Sequence, residues 1–491
     1  MTGEAARPEV PTPSSVDDPR SLRGAAPLLD GWLAFRQSES VPWTTPGHKG
    51  RTDLVGPVVD GDLPLYGGVD TIRSRHGRLR EADRRLAALW GADWARISVG
   101  GSTHGNQALC LAVAKPGDRV VVNRNLHRSM LIGLVLAGLE PVWVTPDVDP
   151  HVGLPVGVPV ERVAQALTDH PDCTAVFLVE PGYIGTLSDV AGHARVAHEH
   201  GVPLVVDQAW GAHFGFHPDL PPHALRVGAD ALVMSAHKTL PAYTQAAFVM
   251  AMTTRIDPDR LQRAFDALDT TSPSGTIAAS ADAARALLDR DGLDLLDRLL
   301  ALARRARTEL AAIDGLVVVD DKMLGGARMD PAKVVLSLAG TGADGLAVED
   351  DLVDSGHPVE MADRDTIVPL LTMADDEASI DSFVEALARS VERRRGAPRH
   401  VVPSPSWTVQ PDTVMAPRDA FFADHVTVAI DDAVGRVSAE LVAPYPPGIP
   451  VLAPGERITT EAIASLHQVM SEGTQVRYAA DPTLRTLQVV A

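Results

Sequence analysis

Short runs of apolar, often β-branched residues alternate along the middle of the chain with Ala- and Leu-rich stretches of helical character. The apolar runs cover residues 119–123, 141–145, 174–180, 202–207, 230–235 and 246–252. The helix-like stretches between them include residues 81–90, 104–114 and 160–169. Such alternation is typical of a mainly parallel sheet with helices on both faces. The pattern therefore predicts an α/β fold.

The same pattern divides the chain into four segments. Residues 1–65 form an N-terminal arm, and about the first 25 of them are rich in Pro, Ser and Asp and are expected to be disordered. A large domain spans residues 66–312 and ends in a long helix. A small α+β domain follows over residues 313–394, beginning with the strand-like GLVVVD. Residues 395–491 comprise a Pro- and Arg-rich linker and a C-terminal region.

Composition narrows the classes of function. The 491 residues are too many for one compact core, and 45% hydrophobic with 22% charged residues is ordinary for a globular protein. The net charge of -20 argues against nucleic acid as a partner and would concentrate a cationic substrate. The N-terminus lacks the apolar core of a secretory signal, and no apolar run is long enough to span a bilayer. A cytoplasmic location is therefore expected.

The two cysteines do not suggest a metal site or a disulfide. Cys110 and Cys173 each lie in an apolar stretch, outside any CxxC pair or histidine cluster. Buried free thiols are expected at both positions, and no metal is predicted.

Lys238 is the strongest candidate for chemistry, in the segment SAHKTLP over residues 235–241. The segment directly follows the strand-like DALVM, and ligand sites in open α/β sheets lie at the carboxyl ends of strands. An unpaired ammonium is costly at a buried strand end, whereas a Schiff base with an aldehyde replaces that charge. Ser235 and His237 could donate hydrogen bonds to a phosphate.

Three further clusters follow other strands. Asp207 comes after the apolar run VPLVV, and a carboxylate there could keep the ring nitrogen of pyridoxal phosphate protonated. Ala209 is small enough to let that ring lie flat. Ser102 and Thr103 stand in GGSTHGN at a predicted helix start, where backbone N–H groups bind phosphate. His127, in RNLHRS, could stack on the ring.

Taken in order, GGSTHGN, RNLHRS, DQAWGAHF and SAHKTLP resemble the active-site motifs of fold-type-I pyridoxal-phosphate enzymes, and more narrowly those of the Orn/Lys/Arg decarboxylase family. The likeness extends over nearly the whole chain, through TPGHKG (45–50), YGGVDTIRSRHG (66–77), TTSPS (270–274) and YPPGIPVLAPGE (445–456). The resemblance implies a large cofactor-binding domain, a smaller C-terminal part, and the short form of the family without a receiver-like N-terminal domain.

The resemblance also implies roles for the matching residues. Lys238 would form the Schiff base, Asp207 would bind the pyridine nitrogen, and His127 would stack on the ring. A proton would reach the substrate α-carbon from Lys238 or His237. The positions that match phosphate-binding residues are Ser102, Thr103, Ser235, His237 and, from TTSPS, Ser272, which would reach the phosphate across a dimer interface.

The implied reaction is decarboxylation of arginine, lysine or ornithine to agmatine, cadaverine or putrescine, as in polyamine biosynthesis, by a homodimer or larger homo-oligomer. Many family members have Glu and His where this chain has Gln208 and Trp210, which bears on substrate preference. The sequence leaves open an aminotransferase, aldolase or oxidase-type reaction on the same fold, and a catalytically silent regulatory homologue. Retention of Lys238 and Asp207 argues against the silent homologue.

Overall fold

The computed structural model describes most of the chain, namely residues 22–38, 43–65, 77–150, 152–401, 409, 411–445, 448–471 and 475–491. Residues 1–21, where disorder was expected, and residues 66–76 of the YGGVDTIRSRHG segment lie outside the described residues. Within those ranges, no helix combines the length and the apolar character needed to cross a membrane.

A seven-stranded sheet forms the centre of the large domain. Its strands are β1 (Trp94–Ser98), β2 (Arg119–Asn123), β3 (Glu140–Val144), β4 (Cys173–Val179), β5 (Leu204–Asp207), β6 (Ala231–Ser235) and β7 (Ala247–Ala251). The spatial order is β1-β7-β6-β5-β4-β2-β3. Strands β2 to β6 pair in parallel, and β7 runs antiparallel to both β1 and β6. The predicted mainly parallel sheet is confirmed, and the apolar runs match β2 to β7 to within about two residues.

Helices cover both faces of this sheet. The helices of this part of the chain are α1 (Pro27–Gln37), α2 (Thr52–Val55), α3 (Gly77–Trp90), α4 (Gly101–Val113), α5 (Arg128–Ala137), α6 (Val160–Asp169), α7 (Val190–Glu199), α8 (Ala236–Thr239), α9 (Pro258–Leu268) and α10 (Gly275–Leu310). The short α2 has no buried residue and does not pack on the sheet. Successive residues of a strand pack into different hydrophobic cores. Val121 and Val206 belong to one core, whereas Val120 and Val205 belong to another. The continuous apolar runs in the sequence follow from this two-sided burial.

Gly105 sets how closely α4 lies to the sheet. A Cβ at this position would stand 2.7 Å from Val249 Cγ2 and 2.8 Å from Val233 Cγ1. Contacts that short cannot be accommodated without moving the helix or the strands. Because Gly105 has no side chain, the N-terminal turn of α4 can pack closely against β6 and β7.

The rest of the chain forms a small domain and a C-terminal region. The small domain contains four strands and two helices: β8 (Val317–Val318), β9 (Leu336–Ser337), α11 (Gly345–Asp354), β10 (Met361–Ala362), β11 (Thr366–Val368) and α12 (Glu377–Arg394). The strands form one antiparallel sheet in the order β10-β11-β9-β8. The C-terminal region contains two helices and four strands: α13 (Pro417–Phe422), β12 (His425–Ala429), β13 (Ala443–Tyr445), α14 (Thr460–Ser471), β14 (Gln475–Arg477) and β15 (Thr486–Val490). Strand β12 pairs with β15, and β13 pairs with β14, each pair as a two-stranded antiparallel sheet.

A buried ion pair joins the C-terminal region to the large sheet. Arg124, directly after β2, donates through Nη2 to Glu456 Oε2 at 3.0 Å and to the Val451 carbonyl at 3.1 Å, and its Nη1 also contacts Glu456. The Ala453 N–H donates to the same carboxylate at 2.7 Å. Both charged side chains are 2% exposed or less. The YPPGIPVLAPGE segment thus binds the loop that carries RNLHRS.

Candidate active site

Eight of the nine candidate side chains meet at the carboxyl edge of the sheet. Asp207 ends β5, Lys238 lies in α8 directly after β6, and His127 precedes α5. They line one cavity of about 400 Å³. The candidates that line it are Ser102, Thr103, His127, Asp207, Ala209, Ser235, His237 and Lys238. Residues far apart in sequence therefore form a single site of the size that small ligands occupy.

Ser272 is the exception. It is exposed on the loop before α10, where its N–H donates to Thr270 Oγ1 at 3.2 Å. It does not line the cavity of its own chain.

The carboxylate of Asp207 is fixed by two donors. Asn106 Nδ2 donates to Asp207 Oδ2 at 2.7 Å, and the Ala209 N–H donates to Oδ1 at 3.1 Å. Asn106 Nδ2 also donates to Ser129 Oγ at 2.9 Å, and that hydroxyl lies 2.8 Å from His127 Nδ1. Asn106 thus orients the carboxylate and, through Ser129, the imidazole. Sequence reasoning assigned Asn106 no role, although it ends the GGSTHGN motif.

His127 is held as a neutral ring. The Ser129 N–H donates to its Nδ1 at 3.2 Å, which makes that nitrogen an acceptor and leaves the proton on Nε2. Burial lowers the pKa of this histidine, and the charges of Lys238 and Arg128 lower it further against the attraction of Asp207. A neutral, oriented imidazole suits stacking on a flat ring.

The start of α4 offers hydrogen-bond donors to the same cavity. The N-terminal turn of α4 begins at Gly101, whose φ of +69° is in the left-handed region, and its N–H donates to the Gln245 carbonyl at 2.9 Å. Ser102 Oγ and Ser235 Oγ lie 2.6 Å apart. A helix N-terminus beside two hydroxyls is a binding place for phosphate.

Lys238 lines the same cavity. Its Nζ stands 4.1 Å from the centroid of the Trp210 ring. Burial lowers the pKa of its ammonium, against the opposing attraction of Asp207 and Glu360. A lowered pKa increases the fraction of neutral amine, which is the form that attacks an aldehyde.

The donor set fits pyridoxal phosphate. Its lining combines a carboxylate, an amine, an imidazole and the small Ala209 with hydroxyls and a helix N-terminus that can bind phosphate. Among the described residues, no group of three metal-ligating side chains is present.

Two residues at the cavity were not found from the sequence. Glu360, just before β10 of the small domain, lines it with an exposed side chain. Tyr183 donates from its hydroxyl to Glu360 Oε1 at 3.0 Å. Neither residue lies in a motif, and only the packing of the small domain on the large one brings Glu360 to the site.

Comparisons with known proteins identify the family. The model for the Orn/Lys/Arg decarboxylase major domain matches residues 26–379, and the model for the C-terminal domain matches residues 404–475. An arginine decarboxylase of Halalkalibacterium halodurans is 33% identical over 483 residues, covering 96% of this chain and 98% of the relative. An arginine decarboxylase of Bacillus subtilis is 32% identical over 479 residues, with coverages of 94% and 97%.

The fold agrees with these relatives. A Francisella novicida lysine decarboxylase structure aligns with a TM-score of 0.81 at 18% identity, covering 95% of this chain and 81% of that one. The predicted fold-type-I architecture is thereby confirmed. Since the family model spans most of the chain and the cavity carries the cofactor motifs, the chain belongs to the Orn/Lys/Arg decarboxylase family and is a pyridoxal-phosphate-dependent decarboxylase.

Proposed function

We propose that the chain decarboxylates arginine to agmatine and carbon dioxide. The observation that carries this proposal is the carboxylate of Glu360, which faces the cavity that contains Lys238. The side chain of a basic amino acid is positively charged, so a site that binds it needs a negative group at a distance from the substrate α-carbon. A guanidinium pairs well with a carboxylate held in a fixed orientation. The Tyr183 hydroxyl supplies that orientation. The name of the two relatives at 32–33% identity supports arginine over lysine and ornithine.

We propose the following roles for the cofactor site. Lys238 would attach the cofactor aldehyde, and Asp207 would keep a proton on the pyridine nitrogen. When bound, pyridoxal phosphate supplies an electron sink for the electron pair left by the departing carbon dioxide. His127 and Ala209 would contact the ring. The N-terminal turn of α4 would hold the phosphate with Ser102, Thr103, Ser235 and His237, together with Ser272 of a partner subunit.

Lys238 is also the proposed proton donor to the substrate α-carbon. His237 Nδ1 donates to the Ala246 carbonyl at 3.0 Å, so its Nε2 is an acceptor whenever the ring is neutral. Burial and the charge of Lys238 lower the pKa of His237, which favours that neutral form. Because neutral His237 has no proton on Nε2 to give, we assign the proton transfer to Lys238 Nζ in its ammonium form.

The direct test is product identification after separate incubation with arginine, lysine and ornithine. Agmatine from arginine, with at least about tenfold less amine from the other two substrates, is the expected result. Cadaverine or putrescine as the main product would overturn the substrate proposal. No amine from any of the three would overturn decarboxylation of a basic amino acid.

Glu360→Gln is expected to raise KM for arginine by about 10–100-fold, because a charge-assisted hydrogen bond contributes about 1.5–3 kcal/mol. Steady-state kinetics would measure this, with the absorbance of the bound cofactor as a check that the site is loaded. Glu392→Gln, at an exposed carboxylate on α12, is the matched control. An unchanged KM in Glu360→Gln would contradict the role of Glu360.

We propose that the enzyme is a cytoplasmic homodimer, and that its amine product is a precursor of polyamines. The position of Ser272 outside its own cavity supports the shared site. Light scattering of the purified protein would test the dimer. Ser272→Ala should weaken cofactor binding in the dimer, and an unchanged cofactor affinity would exclude the contribution from the partner subunit.

A further inference from the structure

A second, much smaller cavity lies behind the active site. It has room for about one water molecule, with a volume of about 10 Å³. Trp210 lines both this cavity and the larger one. Thr239, the residue after Lys238, lines only the small one, together with His213, Asp330 and Lys333. The small cavity therefore touches both the turn that carries Lys238 and the indole over which its amine lies.

Three of the residues that line the small cavity each have a buried polar atom without a hydrogen-bond partner in the part of the chain that the structure describes. The atoms are Thr239 Oγ1, Lys333 Nζ and His213 Nδ1. Their side chains are deeply buried, with residue exposures of 8%, 7% and 2%. A buried polar atom without a partner is costly, and three such atoms around one cavity point to a shared ligand.

The donors and acceptors of these atoms match one water molecule. His213 Nε2 donates to Asp330 Oδ2 at 3.0 Å, so in this tautomer Nδ1 is an acceptor. The Lys333 ammonium is a donor only, and the Thr239 hydroxyl can accept. A water can accept from Lys333 and donate to both His213 and Thr239, which gives it the three partners that buried waters usually have.

Lys333 also contacts the indole directly. Its Nζ stands 4.0 Å from the centroid of the Trp210 ring, and Lys238 Nζ stands 4.1 Å from the same centroid. Burial lowers the pKa of Lys333 to about 8, against the attraction of Asp330 and Glu360. One indole thus contacts both the cofactor lysine and a second buried lysine.

We propose that the small cavity binds one ordered water through Lys333, His213 and Thr239, and that Lys333 is a positioning residue for Trp210 and for the turn that carries Lys238. The positioning role rests on the proposed role of Lys238. The water site itself depends on neither the substrate nor the reaction.

A crystal structure of the holoenzyme tests the water site. One density peak within about 3.2 Å of all three atoms is expected. An empty cavity, or direct hydrogen bonds among the three side chains, would overturn the water site.

Thermal unfolding of the holoenzyme gives an independent test. Thr239→Val should lower the melting temperature by about 1–3 °C, because the bound water then loses one of its three hydrogen-bond partners. The control is Ser465→Ala in α14, where a buried hydroxyl also has no partner among the described residues. That control should leave the melting temperature unchanged or raise it. An unchanged or raised value in Thr239→Val would overturn the shared water.

The pair Thr239→Val and Lys333→Met forms a double-mutant cycle. The shifts in melting temperature should be smaller in the double variant than the sum of the single shifts, because each removes the same water. Additive shifts would overturn the bridge between Thr239 and Lys333.

Kinetics separate positioning from a merely structural role. Lys333→Met should lower kcat about tenfold and leave KM for arginine within about twofold, because Lys333 acts on Lys238 rather than on bound substrate. Lys333→Arg, which keeps the cation, should recover part of kcat. An unchanged kcat in Lys333→Met would overturn the positioning role. Because the diffraction and melting tests use no substrate, they distinguish failure of this proposal from failure of the arginine assignment.

Discussion

Lys238→Ala is expected to lower decarboxylation by at least about a thousandfold. The variant lacks both the amine that attaches the cofactor and the proposed proton donor, and a positioned proton donor alone contributes about 10²–10⁴-fold. The visible absorbance band of the covalently bound cofactor should be lost. Turnover assays with arginine, and mass spectrometry after borohydride reduction, would measure the two losses.

The matched control is Lys238→Arg, which keeps a cation beside Trp210 but offers no amine for attachment. If turnover requires covalent attachment of the cofactor, the arginine variant should be as inactive as the alanine variant. Near wild-type turnover in either variant would contradict the assignment of Lys238.

Glu456→Ala is expected to lower the free energy of unfolding by about 3–5 kcal/mol, because it leaves the buried charge of Arg124 without its partner. Arg124 is 2% exposed and cannot reach water without moving the loop that carries His127. Cofactor affinity should therefore fall as well. Denaturant unfolding and cofactor titration would measure the two effects.

The double variant Arg124→Leu and Glu456→Leu serves as the control. Replacing both members of a buried ion pair by apolar residues is often neutral or stabilising, so the double variant should recover most of the lost stability. A loss below about 1 kcal/mol in Glu456→Ala would show that the pair contributes little.

The sheet could be predicted because its strands are buried on both sides. Three consecutive valines, Val120 to Val122, are fully buried, and the structure places them at the centre of β2. The small domain was harder, since GLVVVD yields only the two-residue strand β8. In that strand both valines are partly exposed, so the apolar run does not mark a fully buried strand.

The cofactor site could be predicted further than the substrate site. Asp207 and Lys238 directly follow strands, so sheet topology alone brings them to one edge. Glu360 follows no such rule, because its position depends on how the small domain packs. The role of Lys333 could not be predicted from the sequence either, because an aspartate and a lysine close together in a loop are common and indicate no particular function.

The pairing of Arg124 with Glu456 has a consequence for biosynthesis. The two residues are 332 positions apart, and the chain emerges from the ribosome N-terminus first. Until the segment around Glu456 is made, Arg124 has no carboxylate partner there, and the cavity lacks the wall that Ile449 provides. A nascent chain can therefore build its central sheet early, but it completes a cofactor pocket only after the segment around Glu456 has been made.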